Sequence, residues 1–559
     1  MKIFPSALSM RILSKVAIIL SLAFVAPVSP ASGLAAQGTA QQAYTPPLSP
    51  IEEAEKNGTA LRLSLKDISK LALQNNLDIA ISDTNEELYQ QKVIQAYGPY
   101  DPQFIIGLGY GSSKSPNTNL ATASAVGNFN QFERANWNVE FVQNIPTGGG
   151  FAIDYNTNRS DTTQAFALFT PQYNSSATIR LTQPLFRNFR TDQIRSNIKM
   201  ANLDTKLNDS QFKQKVVDTI TRIQHEYWDL VNAIRDYEIK RESVKLAQIT
   251  LENNKKKVEI GTLAPIGITE ARAEVSSREQ EMIASEETIF SAQNSLRALI
   301  SNDRNADIWR QTIIPTDSPE FKEVKVQLDT AIETALASRP ELEQLTLSLQ
   351  KTDINYNFNR DQKRWQFDLV GSFGAVGVAG PQSFSPDGTP RIGPEFVGGL
   401  GNAYKVLFRE GLTNWSVGFN VQIPLRNRSL EAYMAQLKIQ KRQTLINRKV
   451  TEQQIIVEIR NAVQALETNK KRVETARVAR ELAEEQLDGE TKRFQAGLSE
   501  NFRVLGRQRD LSVAQGVELD TLIAYKKSAI DLQKAMYTLL EANDFEIAKT
   551  SSDNVPESK

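Results

Sequence analysis

One histidine and no cysteine among 559 residues leave this chain little side-chain chemistry. Without cysteine there is no disulfide, no thiol nucleophile, no thiolate metal site and no lipid held through an N-terminal cysteine. His225 sits inside a helical heptad run, and a lone histidine cannot build a histidine-based metal cluster within one chain. Carboxylates are plentiful, Glu484-Glu485 among them, but at helical spacing they read as solvated faces, not as an acid–base pair. Gly148-Gly149-Gly150 lacks the Lys-Ser/Thr of a phosphate loop and reads as a turn. No catalytic residue, metal or cofactor is expected, and no nucleotide motif supplies energy.

The more informative glycines lie elsewhere. Gly261-Thr262-Leu263 and Gly497-Leu498-Ser499 each divide a long helical run, where glycine can serve as a C-cap. They belong to a wider duplication. The segment Leu65 to Leu73, followed by Asn76-Leu77-Asp78-Ile79, is answered 263 positions later by Leu328, Ala335-Leu336 and Arg339-Pro340-Glu341-Leu342. Gln183-Pro184-Leu185 is matched by Gln422-Ile423-Pro424-Leu425. Three matches in one order indicate a domain-sized unit present twice. The expected boundaries are 61–318, with strands over about 104–183, and 319–545, with strands over about 366–422. A tail at 546–559 is expected to be disordered.

Charge gives no case for nucleic acid, because 65 basic residues balance 65 acidic ones. Lys2, Arg11 and Lys15 precede the apolar run Val16 to Ala26, and small residues follow. That order predicts a secretory signal peptide over 1–36, then an extended leader over 37–60. No later stretch reaches 18 uninterrupted apolar residues, so no membrane-spanning helix is expected, although a barrel stays open.

The elements follow from the periodicity. Ser64 and Asp67 form a capping-box pattern opening a helix to about Ala96, ended by Gly98-Pro99. Strand-like segments come next: Phe104–Tyr110, Asn136–Gln143, Phe151–Asn156 and Ser176–Gln183. Trp137, Val139 and Phe141 share one face; Asn138, Glu140 and Val142 share the other. Long polar loops alternate with the tight turn at Pro146–Gly150, as in outer-membrane barrels. The second half has one such pair, Gln366–Phe373 and Trp415–Gln422, around a Gly/Pro-rich loop. Two-faced soluble β-structure would alternate in the same way; the signal peptide and the loop asymmetry weigh for the membrane. Val216, Ile220, Ile223, Tyr227, Leu230, Ile234 and Tyr237 are spaced four and three apart, and Ile456, Ile459, Val463, Leu466 and Val473 repeat the seam. A helix over 192–260 would measure on the order of 100 Å at about 1.5 Å per residue.

The duplicated helix–strand–strand–helix unit, the two Gln-Pro-Leu-type strand ends and the two helix turns together resemble the TolC-like outer-membrane efflux proteins, over about residues 61 to 541. The resemblance implies a mixed α and β fold: as a homotrimer, strands closing one outer-membrane β-barrel and helices forming a long periplasmic α-helical barrel. It implies a passive exit duct of a tripartite efflux or type I secretion system in a Gram-negative-type outer membrane. Its partners would be outer-membrane lipid, a periplasmic adaptor and an inner-membrane transporter. The adaptor contacts would be the tips Gly261, Thr262, Leu263, Ala264 and Pro265, with Gly497, Leu498, Ser499, Glu500 and Asn501. The competing readings are a structural coiled-coil envelope protein without transport, and an envelope enzyme with helices as spacers.

Two departures from the family stand out. Relatives carry aspartates past the tips, in rings that favour cations, whereas the gate positions here are Gly267, Arg503 and Gly506. A ring of Arg503 would repel cations, unless Arg503 pairs with Glu500 or Asp510. The family norm is four strands per chain, and six alternating segments are present. Either a trimer makes a wider barrel, or the additional hairpin flanking Pro146–Gly150 projects beyond or folds against a barrel of twelve; the ordinary barrel with an elaborated first half is the expected outcome.

Overall fold

The computed structural model describes residues 48–119, 123–124, 127–385, 387–543 and 545, so the expected signal peptide and the 546–559 tail lie outside them. The described end of the expected leader is not extended. It forms α1 (Pro50–Asn57), held by a closed capping box in which Ser49 and Glu52 exchange hydrogen bonds, and β1 (Ala60–Leu63). β1 pairs in parallel with β6 (Thr312–Pro315), which ties the beginning of the first repeat to its end.

Ser64 and Asp67 do form a capping box, opening α2 (Leu65–Asn75). The helix expected to continue to about Ala96 breaks at Asn76, and α3 (Leu77–Tyr97) follows. Asn76 is extended at φ −69° and ψ 124°, and its Oδ1 accepts from the Asp78 and Ile79 amides. Its Nδ2 donates to the Leu299 carbonyl at 2.7 Å, so a long-range bond anchors the break. The second repeat breaks at the same place by other means. Arg339, at φ −66° and ψ 124°, separates α6 (Leu328–Ser338) from α7 (Pro340–Gln362), because Pro340 disfavours the helical region for the residue before it.

The two longest helices, α4 (Gln193–Glu259) and α9 (Arg428–Gln495), have 67 and 68 residues. Each turns into a 35-residue partner, α5 (Ile266–Ile300) and α10 (Asn501–Ala535). The heptad residues Val216, Ile220, Ile223, Tyr227, Leu230, Ile234 and Tyr237 are all buried and form the main core with Ile289, Leu296 and Ile523. Near the strands the helices stand in the order α3, α4, α7, α9; towards the turns the order is α5, α4, α10, α9. Ion pairs cross the seams: Arg222–Asp78 at 2.8 Å, Lys351–Asp204 at 2.5 Å, Lys441–Asp353 at 2.6 Å and Arg480–Glu518 at 2.7 Å.

Six strands make one antiparallel sheet: β2 (Gln103–Pro116), β3 (Phe129–Asn144), β4 (Gly150–Thr162), β5 (Gln172–Pro184), β7 (Gln366–Ala379) and β8 (Thr413–Gln422), in that order across the sheet. The expectation of a hairpin projecting from a four-stranded unit is therefore corrected. β3 and β4 lie between β2 and β5, hydrogen-bonded on both flanks.

Register assigns the faces. One row across all six strands reads Phe104, Phe141, Ile153, Ile179, Phe373, Trp415. Its neighbours on the same face include Ile106, Leu108, Val139, Trp137, Phe151, Leu181, Val417 and Phe419. Leu108 is 81% exposed and Trp415 73%. The opposite face carries Asn138, Glu140, Asp154, Asn156, Thr178, Ser372, Ser416 and Asn420, with Arg180 and Asp154 paired at 2.6 Å.

The loop after β7 folds a short amphipathic helix, α8 (Leu400–Arg409), onto the apolar face beside β5 and β7. Ala403, Val406 and Leu407 are buried there, and the Tyr404 ring packs 6.1 Å from that of Tyr155. The seat is made of small residues, Ser175, Ala177, Ala375 and Gly377. The last of these is obligatory in size, because a Cβ at Gly377 would stand 2.0 Å from the Ala403 carbonyl oxygen.

Candidate functional site

The two helix turns have one backbone solution. α4 ends, Gly261 enters the left-handed region at φ 75°, and its amide donates to the Val258 carbonyl. Thr262 N and Oγ1 both donate to the Lys257 carbonyl, at 2.8 and 3.0 Å, and Leu263 N reaches the same oxygen. Gly497 repeats this at φ 75°, with Gly497 N donating to Phe494 O and Leu498 N to Arg493 O at 2.9 Å. Among the described residues, nothing stands within 4 Å of a Cβ placed on either glycine. Conformation alone therefore demands glycine here, since other residues enter the left-handed region at a cost.

Lys257 Nζ lies 3.7 Å above the Phe494 ring, so the two turns sit side by side. The expected tip residues are thus brought together. Ala264 and Pro265 lead into α5, the Ala264 and Pro265 carbonyls accepting from Gly267 N and Ile268 N. Ser499 Oγ donates to Glu490, and Glu500 accepts through its carbonyl from Arg503 N. Asn501 is buried, and among the described residues neither polar atom of its side-chain amide has a hydrogen-bond partner. Of the apolar side chains that cap the tips, sequence reasoning named Leu498, which is 81% exposed, and missed Ile260, 71% exposed, and Phe502, 66%. The signal was present as apolar residues placed where a turn needs none.

The three positions expected to form a gate occupy unlike surroundings. Gly267 is buried, its missing side chain leaving room for Leu263, whose Cδ2 would be 2.9 Å from a Cβ. Its carbonyl accepts from the fully buried Asn254 Nδ2 at 3.2 Å, which locks α5 to α4. Gly506 faces open space. Arg503 is exposed and makes no ion pair among the described residues; Asp510 pairs with Arg507 at 3.2 Å instead. Behind these positions the buried Arg278 of α5 bonds the Ser243 carbonyl and hydroxyl of α4 and the Leu505 carbonyl of α10.

At the other end of the helices an open groove of about 790 Å³ is lined by Leu185, Phe186, Phe189, Arg190, Lys363, Arg364 and Trp365. Phe186 packs 5.5 Å from Phe367, which stacks on Phe419 at 5.1 Å. The aromatic residues therefore continue the apolar face of the sheet down to its junction with the helices. There the cations begin.

His225 Nε2 meets Asp531 Oδ1 at 3.0 Å between α4 and α10. No group of three or more His, Asp or Glu residues able to hold a metal occurs among the described residues. No described helix is long and apolar enough to cross a membrane.

Comparison with known proteins gives one consistent result. The toluene efflux pump outer membrane protein TtgC of Pseudomonas putida is 22% identical over 348 residues, which is 62% of this chain and 65% of that protein. The antibiotic efflux pump outer membrane protein ArpC of the same species gives the same figures. The alignment thus spans slightly less than two thirds of these relatives. The Campylobacter jejuni CmeC outer membrane channel superposes with a TM-score of 0.59 at 17% identity, covering 88% of both chains. The Neisseria gonorrhoeae MtrE outer membrane channel gives 0.54 at 16%, covering 85% of this chain and 89% of that one. These likenesses carry the mixed helix-and-strand fold. The sequence profile described as outer membrane efflux protein matches residues 68–302 and 331–536, one segment in each half, and the chain belongs to the outer membrane efflux protein family.

Proposed function

We propose that this protein is the outer-membrane exit duct of a tripartite efflux or type I secretion system, acting as a homotrimer. The strands would stand in outer-membrane lipid and the long helices would cross the periplasm to an adaptor and an inner-membrane transporter. The observation that carries the reading is the division of the sheet into one exposed apolar face and one polar face, on helices of about 100 Å at 1.5 Å per residue. A soluble coiled-coil scaffold has no use for that apolar face. The aromatic and basic rim of Trp365, Phe186, Arg190 and Lys363 fits the inner edge of such a membrane band.

Assembly is supported by which elements lack a neighbour. Among the described residues, these are β2 and β8 in the sheet and, in the helical layer, α3 with α5 on one side and α9 on the other. α9 exposes Ile439, Ile446, Val450, Val457, Val478 and Leu482 at heptad-compatible spacing. The opposite edge exposes Ile81, Leu88, Ile283 and Phe290. Each chain thus offers two complementary flanks, and a ring of copies covers both. The relatives named for toluene and antibiotic efflux support transport of small molecules. Transport would be passive here, with energy drawn from the inner-membrane partner.

The tips Gly261–Pro265 and Gly497–Asn501 would meet the adaptor, with Ile260, Leu498 and Phe502 as the apolar contacts. Three measurements test the reading together: mass of the detergent-extracted particle, conductance in planar bilayers, and photo-crosslinking from Leu498 to a periplasmic protein. A monomer without conductance overturns it.

A further inference from the structure

We propose that all six strands of each chain stand in the barrel wall, so that three copies close an eighteen-stranded barrel in which β2 of one copy pairs with β8 of the next. The inference rests on the trimeric reading above. It departs from the four strands per chain of the family norm.

The place of the insertion decides the matter. Leu65 and Leu328 are 263 positions apart, whereas Gln193 and Arg428, which open α4 and α9, are 235 apart. The first repeat therefore spends more chain on its strands. β2 follows α3 as β7 follows α7, and β5 precedes α4 as β8 precedes α9. The extra pair is β3–β4, lodged between two strands that would otherwise be neighbours. Its ladders run from Gln103↔Val142 to Pro116↔Phe129 on one flank and from Gly150↔Thr182 to Ser160↔Gln172 on the other. A hairpin added at an edge could swing out. This one cannot leave without opening two ladders, and backbone groups unpaired in lipid cost several kcal/mol each, by general estimate about as much as a lost hydrogen bond in hydrocarbon.

The inserted strands also carry the membrane pattern. Trp137, Val139, Phe141, Phe151, Ile153 and Tyr155 extend the apolar rows of β2 and β5 without interruption. A hairpin folded away from the wall would place that face against nothing.

Circumference agrees. Four helix columns per chain give twelve in a trimer, and at about 9 Å between axes they wrap roughly 110 Å. Eighteen strands about 4.8 Å apart and tilted about 40° also wrap roughly 110 Å, whereas twelve wrap only about 75 Å. A wall of eighteen strands can therefore stand on such a tunnel, although the family norm sets twelve strands on the same number of helices.

The two free edges suit one another. β2 presents Phe104, Ile106, Leu108 and Tyr110 on the apolar face, and β8 presents Trp415, Val417, Phe419 and Val421. The meander has an even number of strands, so β8 meets the next copy's β2 antiparallel. Superposing the two apolar bands places Ile105 opposite Asn420 on the polar face.

The cysteine-free chain makes the test direct. Ile105→Cys with Asn420→Cys reports the seam between copies. Asn156→Cys with Ser176→Cys, partners across β4 and β5, reports whether the insertion stays in the wall. On oxidation in native outer membranes, the first pair is expected to give covalent species up to three chains, and the second an intrachain link. Loss of either link overturns the eighteen-stranded wall, as does a map of the unmodified trimer showing twelve strands. The mass of the uncrosslinked particle is read separately: two copies, or one, overturn the assembly itself whatever the links show.

Discussion

Arg278 of α5 donates through Nη2 to the Leu505 carbonyl of α10 at 3.0 Å, joining the hairpins of the two repeats behind their tips. The guanidinium is 4% exposed, and its Nη1 also bonds the Ser243 carbonyl while Glu274 lies 3.0 Å away. A buried cation held by carbonyls from two other helices is a fastening, and its removal leaves those acceptors unpaired. Arg278→Ala should lower local stability by about 3 kcal/mol, the scale for breaking a buried charged contact. Hydrogen exchange at the amides of α5 and α10 near the tips reads this directly. Arg278→Lys should recover only part, since one ammonium cannot reach all three partners.

The seat of α8 gives a second prediction. Gly377→Val places atoms where the Ala403 carbonyl oxygen and Leu407 now lie, 2.0 and 2.7 Å from the new Cβ. Overpacking of this kind costs about 1–3 kcal/mol. The expected result is release of 381–412 to protease with the strands left intact, because the ladder at Ser175↔Gly377 uses only backbone. Protease resistance equal to the parent chain would show that α8 does not depend on this approach.

Local signals were enough to place the α4 seam, the Ser64 capping box and the middle of every strand of the six-stranded sheet, because each is a property of a few neighbouring residues. The strands run past their expected ends, β3 starting at Phe129 instead of Asn136, and the α9 seam buries Ile455 in place of the expected Ile456. What stayed hidden was long-range. The break at Asn76 depends on the Leu299 carbonyl more than two hundred residues away. β1 exists only because β6 pairs with it, and four residues of weak alternation carry no strand signal alone. The fate of the β3–β4 hairpin turned on which strands flank it, and alternation assigns faces, not neighbours. At the site, the tip glycines were legible because a left-handed turn requires them. The burial of Gly267 was not, since it follows from where Leu263 folds back.

The tips themselves separate shape from contact. Gly261→Ala and Gly497→Ala should each cost about 1 kcal/mol locally, the scale of forcing a side chain into the left-handed region. Leu498→Ser and Phe502→Ser should leave the melting temperature within a degree or two, because both side chains are already in solvent. If the tips meet an adaptor, these two substitutions lower its capture while the glycine variants do so only in proportion to unfolding. Equal capture by all four variants would remove the tips from the interface.

Acid should loosen α1 first. Arg241 donates to Glu52 Oε1 at 3.0 Å, and with the Ser49 N–H it holds the Glu52 carboxyl below the usual carboxylate range. A carboxyl depressed in the folded state contributes stability that is fully present above its unfolded pKa and is lost as pH falls through the folded value. The loss therefore belongs to the acid side of the ordinary glutamate range, and neutral to alkaline conditions leave the contact whole. Hydrogen exchange of the 50–57 amides should accelerate relative to the core as pH drops, after correction for intrinsic rates. Glu52→Gln should abolish that extra dependence and start from a weaker docking of α1 on α4.

If the chain forms the proposed duct, Arg503 is the sharpest test of how it differs from the acidic rings that the family resemblance implies. Its side chain is exposed beyond the Gly497 turn and no carboxylate neutralises it among the described residues, since Asp510 is engaged by Arg507. In a trimer the position recurs around the axis, and three unpaired cations at a constriction raise the barrier to cations while concentrating anions. Arg503→Asp reverses the sign of the ring; Arg503→Gln removes it. Reversal potentials in a potassium chloride gradient should move toward cation preference in the order Arg, Gln, Asp, and the spread should shrink as ionic strength rises and the Debye length falls below the tunnel radius. Identical reversal potentials in all three forms would place Arg503 away from the conducting path, on the outer surface of the helices.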